Sequence, residues 1–325
     1  MVEINFTRGL DVYALVDSDS DEARAFTTYL GYWDCLARAV EAEFGSDPIP
    51  QLVSDVASRS AFQKLQNRAF AGSSEVLKGL LLNGWNSEQN LYLVDPDDPR
   101  ASIQTQWINV FAYYSSGRAA LAWLLVQNGS APTSHRALLK SLAALTRSSL
   151  IPAPWDRRCE SHRPLNFSGF TATPTEVSNL ASDVDCYDLV AKMLKTTRGK
   201  RIDDLLTEQK RRRSVGRARN GERAAIDHRT EPTTVFDFMY RSRARANYGD
   251  PSMFYMGHLT DARSAAYLTA VRSVTNATMG LFELLIAQRA GDLLLDAATH
   301  WMARDRSGIS DRVLKARLRT IGVVG

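Results

Sequence analysis

The fold is decided by residues 101–128, which read ASIQTQWINVFAYYSSGRAALAWLLVQN. Apolar side chains recur here at helical spacing, and they form the strongest apolar stripe in the first half of the chain. The stripe consists of Trp107, Val110, Phe111, Ala119, Leu121, Leu124 and Leu125. Asn128 and Gly129 end this predicted helix, and Thr133 or Ser134 can cap a second helix at about 134–148. The sequence therefore predicts a hairpin of two helices.

Helical spacing of apolar residues also covers most of the remaining chain. A first helix is expected to begin at Ser18 or Ser20 and to end near Phe44, and a second to cover about 52–82 and stop at Asn83-Gly84. Further helices are expected at about 184–197, 233–248 and 259–291, followed by two shorter ones. The first seventeen residues alternate as a ribbon or arm would, and residues 95–100 (DPDDPR) indicate a turn.

Residues 150–183 differ from their surroundings, with four prolines and little periodicity. We expect them to form an ordered, irregular loop in which Trp155, Phe167 and Phe170 cover the core, since long loops of compact domains are often functional. The predicted fold class is all-α, a helical bundle with a long irregular insertion and a basic central segment. The predicted division is an acidic N-terminal helical region at 1–100 and a helical bundle at 101–325, interrupted by an insertion at about 150–232.

Composition narrows the possible functions. Apolar residues make up 44% and charged residues 23% of the 325, which excludes disordered and collagen-like proteins, and 19 Gly with 11 Pro favour long helices. The motifs GxxxxGKS, GxxxxGKT, GxGxxG and GxSxG are missing, which argues against a nucleotide hydrolase or an α/β-hydrolase.

The sequence predicts a cytoplasmic protein without membrane contact. It has three scattered cysteines, no secretory signal and no apolar run of about 20 residues.

Charge is distributed unevenly along the chain. Residues 1–100 carry a net charge of −8 and residues 192–245 a net charge of +9, and 32 of the 40 basic residues are Arg. Such a surplus is suited to phosphate recognition, although a solvated loop or a segment docked on the acidic N-terminal region would show the same pattern. We predict nucleic-acid contact, with RNA preferred to DNA, through Arg211, Arg212, Arg213, Arg217, Arg219 and Arg243.

The segment 240–248 (YRSRARANY) concentrates guanidinium and aromatic groups at a helix end. Arg241 and Arg245 are four residues apart and share a helix face with Tyr248, so they could clamp a phosphate and stack a base. The alternative is that the arginines complement the negative end of the helix dipole.

Metal chemistry has little support. Cys159 and His162, with Cys186 downstream, fall short of the four ligands of structural zinc, so we expect no metal and no cofactor. Metal-independent RNA cleavage would need an acid, a base and a cation. Arg157 and Arg223 each precede a histidine, His162 and His228, by five positions, but with so many arginines this spacing is expected by chance.

Two segments resemble proteins of the HEPN superfamily. Residues 111–123 (FAYYSSGRAALAW) with 133–139 (TSHRALL) are similar to its first helical hairpin, and residues 236–250 (FDFMYRSRARANYGD) with the helix that follows are similar to its second. The resemblance covers about 90 of the 325 residues. It implies a helical bundle, frequent dimerisation, and RNA cleavage in toxin or phage-defence systems. The family's signature, Arg followed after four to six residues by His, is not completed by a histidine after residues 241–245.

The leading hypothesis is a HEPN-like component of a bacterial defence or toxin system that binds nucleic acid and cleaves RNA without metal, as a homodimer or with a protein partner. Its candidate catalytic groups are Arg241, Arg245, Tyr248, His135, His162 and His228. The alternative hypothesis is a non-catalytic interaction or scaffold subunit of a multi-protein defence complex. A helical DNA-binding regulator is a third option, for which we find no helix-turn-helix pattern.

Overall fold

The chain forms an all-α helical bundle with a few short strands, which confirms the predicted fold class. The computed structural model describes residues 20–67, 70–95, 101–162, 165–170, 185–213, 221–249, 251–256, 261–305 and 307–324. The predicted N-terminal arm and most of the predicted turn at 95–100 lie outside these ranges.

The helices differ widely in length, and four of them have 24 residues or more. In chain order the α-helices are α1 (Asp21–Phe44), α2 (Pro48–Ser58), α3 (Ser60–Gln63), α4 (Ser74–Leu93), α5 (Ala101–Asn128), α6 (His135–Leu145), α7 (Cys186–Arg213), α8 (Glu222–Arg229), α9 (Val235–Ala244), α10 (Ser252–Met256), α11 (Asp261–Met302) and α12 (Ala316–Ile321). A 3-10 turn (Lys64–Asn67) follows α3, and π-helical turns occupy Arg245–Gly249 after α9 and Ser310–Lys315 before α12.

The core lies where α5 and α11 pack against each other and against α1 and α4. Trp33, Trp85, Trp123 and Phe282 come from these four helices and are each at most 2% exposed. Large buried aromatic side chains dominate the energy of such a core. The acidic N-terminal segment therefore contributes α1 and α4 to the same core as the rest of the bundle. The division into an N-terminal region at 1–100 and a bundle at 101–325 stays a prediction.

Several predicted helix ends are confirmed. The Ser20 hydroxyl accepts a hydrogen bond from the Ala23 amide at 3.1 Å, and Ser134 caps α6 in the same way through the Ala137 amide at 3.2 Å. Gly129, with φ +74°, ends α5, because its amide bonds back to the Leu125 carbonyl in a left-handed conformation.

The prediction of one helix at 52–82 ending at Asn83-Gly84 is wrong. The segment forms α2, α3, a 3-10 turn and the start of α4, and α4 continues through Gly84 to Leu93. Gly84 is buried against α5, where an added Cβ would lie 3.4 Å from the Arg118 Cβ and 3.5 Å from the Ser115 carbonyl oxygen. This glycine therefore permits close packing of two helices and does not mark a turn.

The insertion is more regular than predicted, because it contains a three-stranded antiparallel sheet of order β2-β1-β3. Its strands are β1 (Arg158–His162), β2 (Leu165–Ser168) and β3 (Thr233–Thr234). Arg158 pairs with Ser168 on one side and with Thr234 on the other. The insertion is thereby tied to the start of α9, and the predicted core residue Trp155 is fully buried against Phe44.

A buried ion pair joins this sheet to α7 and α8. Arg198 of α7 is fully buried, and its Nε donates to Asp227 Oδ1 of α8 at 2.6 Å. The other carboxylate oxygen of Asp227 accepts from the backbone amide of His162 at 2.8 Å. The helix predicted at 184–197 begins at Cys186 and extends to Arg213, so Arg198 lies within one continuous helix.

A second buried ionic cluster fixes the C-terminus to the core. Arg317 of α12 donates through Nη1 to Glu88 Oε1 at 2.6 Å and through Nε to Glu283 Oε2 at 2.7 Å. Trp85 Nε1 also donates to Glu283, at 2.8 Å. All three charged residues are at most 3% exposed. The long helix predicted at 259–291 is α11, which begins at Asp261 and extends to Met302 with a kink at Ala290.

Candidate nucleic-acid interface

The structure brings the two segments that resemble HEPN hairpins into contact. His135, the first residue of α6, lies with its Nδ1 2.6 Å from the hydroxyl of Tyr113 on α5. The ring of Tyr240, on α9, packs 5.4 Å from the His135 ring and 5.6 Å from the Tyr113 ring, centroid to centroid. Tyr113 is buried and His135 is exposed, so the imidazole is anchored on one side and open to solvent on the other.

Arg243 lies behind this histidine in a cage of tyrosine rings. Its guanidinium carbon is 5.3 to 6.0 Å from the ring centroids of Tyr113, Tyr114, Tyr240 and Tyr248. We call these four tyrosines the tyrosine cage. Its Nη2 donates to the Tyr114 hydroxyl at 2.7 Å. Aromatic faces attract a cation electrostatically, and this attraction is stronger away from water. Arg243 is 6% exposed, so a charged side chain is held almost entirely inside the protein.

The π-helical turn after α9 explains how Tyr248 reaches Arg243. A π turn closes with five residues, which brings side chains five positions apart onto the same face. The Tyr248 ring consequently lies 5.3 Å from the Arg243 guanidinium carbon. The amide of Gln106 on α5 donates to the Ala246 carbonyl at 2.9 Å and holds the turn against α5.

Arg241 and Arg245 do not form the shared clamp that helical spacing suggested. Arg241 faces the interior of the bundle, where its Nη1 donates to the Thr197 hydroxyl at 3.2 Å and its guanidinium lies 5.7 Å from the Tyr29 ring. Arg245 begins the π turn and is half-buried, with its aliphatic stem beside Gly249.

Positive charge surrounds His135. Burial lowers the pKa of His135 below its ordinary value, and the charges of Arg243 and Arg118 lower it further. The pKa of Tyr113 is raised, chiefly by burial and then by its neighbour Tyr240, so this hydroxyl keeps its proton. A neutral His135 therefore shares a hydrogen bond with the Tyr113 hydroxyl through Nδ1, in which the histidine tautomer decides which group donates, and Nε2 is left for a ligand.

A row of aromatic side chains continues from this histidine along α5. Trp107, Phe111, Tyr114 and Arg118 are spaced by four, three and four residues, so they share one helix face. Trp107 is 50% exposed and its ring packs 6.5 Å from that of Phe111. Tyr248, beside the row, is 76% exposed. We call the following set the aromatic–arginine surface: Trp107, Phe111, Tyr114, Arg118, His135 and Tyr248.

The structure places the other two candidate histidines elsewhere. His162 lies on β1 with its ring beside α7, and His228 is exposed near the end of α8. The sheet meets the far end of α6, where Arg147 pairs with Glu160 at 3.7 Å. His135 begins α6 and Arg147 follows its end, so the sheet contacts α6 at the end opposite to His135.

The described part of the predicted basic tract includes the end of α7. Arg211 and Arg212 are exposed there, and Arg212 forms an ion pair with Glu208 one turn earlier. Arg213 ends the helix, and Arg217 and Arg219 lie outside the described residues.

Two arginines of 192–245 are paired within the fold. Besides the buried Arg198–Asp227 pair, Arg201 donates to Asp237 at 2.9 Å, and Asp237 in turn forms a capping box with Thr234 at the start of α9. Both carboxylates belong to the same segment, so its net charge of +9 already includes them, and the pairs decide only which arginines remain for a ligand.

Several residues of the site were not singled out from the sequence as functional. They are Trp107, Tyr113, Tyr114, Arg118 and Tyr240. The signal that could have identified them is the combination of Tyr114 with Arg118, one helical turn apart, in the same segment that supplied the HEPN resemblance.

Comparison with known proteins finds no matching family model, no matching curated protein and no matching solved structure. In the described part of the chain, no helix has the length and apolar character needed to cross a membrane. Within the same ranges, no three His, Cys, Asp or Glu side chains are grouped as metal ligands. The site itself thus carries the functional argument.

Proposed function

We propose that the protein binds single-stranded nucleic acid, and RNA in preference to DNA, at the aromatic–arginine surface. The observation that carries this proposal is the exposure of Tyr248, at 76%, beside the Arg243 guanidinium, with Trp107, 50% exposed, on the same face of α5 as Arg118. Proteins that bind single strands combine aromatic rings, on which bases stack, with cations that follow the backbone. RNA is favoured because its loops and ends offer unpaired bases, whereas a duplex hides the faces of its bases.

Two substitutions test this proposal. Stacking contributes about 1–3 kcal/mol per base, so Trp107→Ala and Tyr248→Ala should each weaken binding of an oligouridylate about 5- to 150-fold. Both side chains are exposed, so the unfolding free energy should change by less than about 0.5 kcal/mol. Leu93→Ala is the matched control, because Leu93 is a 60% exposed apolar residue on a different helix, α4.

Fluorescence anisotropy of a labelled oligonucleotide measures these affinities. Wild-type affinity should fall steeply with salt, by a factor set by the number of phosphates contacted, and should be weak for a duplex of equal length. Equal affinities of wild type and both aromatic variants would contradict the proposal. A protein that binds no oligonucleotide at all would favour the interaction-subunit hypothesis.

A second candidate function, cleavage of the bound RNA, is favoured by the state of His135. When Nδ1–H donates to the Tyr113 oxygen, the neutral imidazole next to Arg118 and Arg243 has an unprotonated Nε2. This nitrogen is suited to take the proton of a ribose 2′-hydroxyl as its oxygen attacks the phosphorus, and to return that proton to the 5′-oxygen that leaves. A guanidinium stabilises the charge that develops on the phosphate. This is the chemistry that the HEPN resemblance implies, and with it we propose a role in a bacterial defence or toxin system.

Incubation of labelled RNA with the protein in the presence of EDTA tests cleavage. We expect discrete fragments from the wild type and from the control Leu93→Ala, and none from His135→Ala. Fragments that persist in His135→Ala would refute the role of this histidine. Intact RNA with the wild-type protein would leave binding as the function.

A further inference from the structure

We propose that Arg243 forms an anion site that takes a phosphate group, with Arg118 and His135 at its rim. The inference deepens the proposed function and rests on it, because it names the group of the nucleic acid that enters the tyrosine cage. It starts from a feature that folding alone leaves unexplained. Arg243 is only 6% exposed, yet no carboxylate among the described residues pairs with it.

The hydrogen bonds of Arg243 are incomplete. A guanidinium has five N–H donors, and one of those of Arg243 reaches the Tyr114 hydroxyl. Its Nε is buried and has no acceptor among the described residues. Buried polar groups are normally satisfied, and buried charges are normally paired, so an exception of this kind indicates a role other than stability.

Comparison with the other buried arginines of the bundle strengthens this argument. Arg198 and Arg317 are each at most 2% exposed, and each is bonded to at least one carboxylate. The third, Arg263, is 1% exposed, donates to the Thr27 hydroxyl and lies over the Phe26 ring. At Arg198 and Arg317 the fold thus supplies an acid for the buried cation. At Arg243 it supplies tyrosine rings instead, which stabilise the cation without neutralising it.

The surroundings of the cage select an anion with several oxygen atoms. Arg243 and Arg118 are the charged groups that act on His135, and both are cations. A guanidinium binds two oxygens of a phosphate in parallel, which is why arginine is the usual choice for phosphate recognition. The Tyr248 ring, 5.3 Å from the guanidinium carbon and largely exposed, lies where a base next to that phosphate could stack.

Arg243→Met separates a ligand site from a structural role. Methionine has a similar length and carries no charge to bury. If the Arg243 cation stabilises the fold through the tyrosine rings, Arg243→Met lowers the stability of the protein. If the cation is buried without a carboxylate for the sake of a ligand, its replacement by an apolar side chain leaves the stability equal or higher. We therefore expect a thermal midpoint equal to or above that of the wild type, together with at least tenfold weaker binding of oligouridylate. Arg243→Lys should fold and recover part of the affinity, because lysine keeps the charge but not the paired geometry.

The source of the phosphate is resolved with three probes: inorganic phosphate, an oligouridylate with a 5′-phosphate, and the same oligonucleotide without it. The readout is the chemical shift of the His135 ring protons, followed at constant ionic strength. A shift with inorganic phosphate, absent in Arg243→Met, shows a free-phosphate site. A preference for the 5′-phosphorylated strand shows an end-binding site, and equal affinity for both strands, lost in Arg243→Met, shows contact with internal phosphates.

The proposal is overturned if the His135 signals respond to none of the three probes, or if Arg243→Met binds all of them as the wild type does. It is also overturned if Arg243→Met lowers the thermal midpoint while the folded fraction keeps wild-type affinity. These outcomes differ from failure of the proposed function, in which Trp107→Ala and Tyr248→Ala bind RNA like the wild type.

Discussion

Replacement of Arg317 by methionine should be among the most damaging single changes in the bundle. Arg317 bridges Glu88 and Glu283, and none of the three is more than 3% exposed. Removal of one member of a buried ion pair costs about 3–5 kcal/mol, because the remaining charge is left without a partner. Here two carboxylates are left, so we expect Arg317→Met to lower the unfolding free energy by an amount near the upper end of that range.

The loss should depend on pH in a defined direction. Burial raises the pKa of Glu88 above its ordinary value of 4.5, while Arg317 lowers it. Without Arg317 the folded-state pKa of Glu88 rises further, and the nearby Glu283 adds to this rise. A group with a raised folded-state pKa stabilises the fold below its unfolded pKa and loses that contribution as pH rises through the folded value. The deficit of Arg317→Met should therefore be larger at pH 7.5 than at pH 5.

Urea denaturation of the wild type and the variant at both pH values measures this difference. Arg312→Met is the matched control, since Arg312 is an exposed arginine on the preceding π turn, and its effect should stay within about 0.5 kcal/mol. The reasoning is refuted if the Arg317→Met deficit is below about 1 kcal/mol, or if it is the same at pH 5 and pH 7.5.

Two further predictions concern the site and the packing. RNA affinity should rise as pH falls below the ordinary histidine value of 6.5, because the proton on His135 adds a cation beside the phosphate, and His135→Gln should flatten this profile in anisotropy measurements. Gly280→Ala should destabilise the protein by about 1–3 kcal/mol, because the added Cβ would lie 2.7 Å from Ile49 Cδ1. Gly79→Ala has open space at the Cβ position and should stabilise α4 by up to about 1 kcal/mol.

Each of these predictions has its own contrary result. A pH profile of affinity that is unchanged in His135→Gln would show that another group titrates. Equal thermal midpoints for Gly280→Ala and Gly79→Ala would show that the contact between α11 and α2 adapts without strain.

Local signals in the sequence were sufficient for the helices that begin and end with caps. Ser20, Ser134 and Gly129 act as the sequence predicts, because each fixes its helix end through contacts within a few residues. The apolar stripe of α5 likewise identified the central helix of the core.

Features that depend on distant residues were not predicted. The pair Asn83-Gly84 is typical of a turn, but Gly84 allows α5 to pack closely against α4, which the local sequence does not show. The sheet in the insertion depends on β3, which lies more than 60 residues after β2. Pairings of this kind have no local signature, so the insertion was expected to be irregular.

In the candidate site, too, single residues were predicted from the sequence but their contacts with distant residues were not. His135 and Tyr248 were named from the sequence as candidate catalytic groups, and Arg243 as a nucleic-acid contact. The π turn after α9 carries Tyr248 to Arg243, whereas α-helical spacing placed Tyr248 with Arg241 and Arg245. The basic tract was judged by its net charge, which cannot distinguish Arg198, paired inside the fold, from Arg211 on its surface.

The central claim is that single-stranded RNA lies on the aromatic–arginine surface. The most direct test is ultraviolet cross-linking of the wild-type protein to an oligonucleotide containing 4-thiouridine, with the modified peptides identified by mass spectrometry. We predict adducts in the α5 peptide that contains Trp107 and in the π-turn peptide that contains Tyr248. Cross-links confined to the basic end of α7, around Arg211 and Arg212, would contradict the claim and place the nucleic acid elsewhere on the protein.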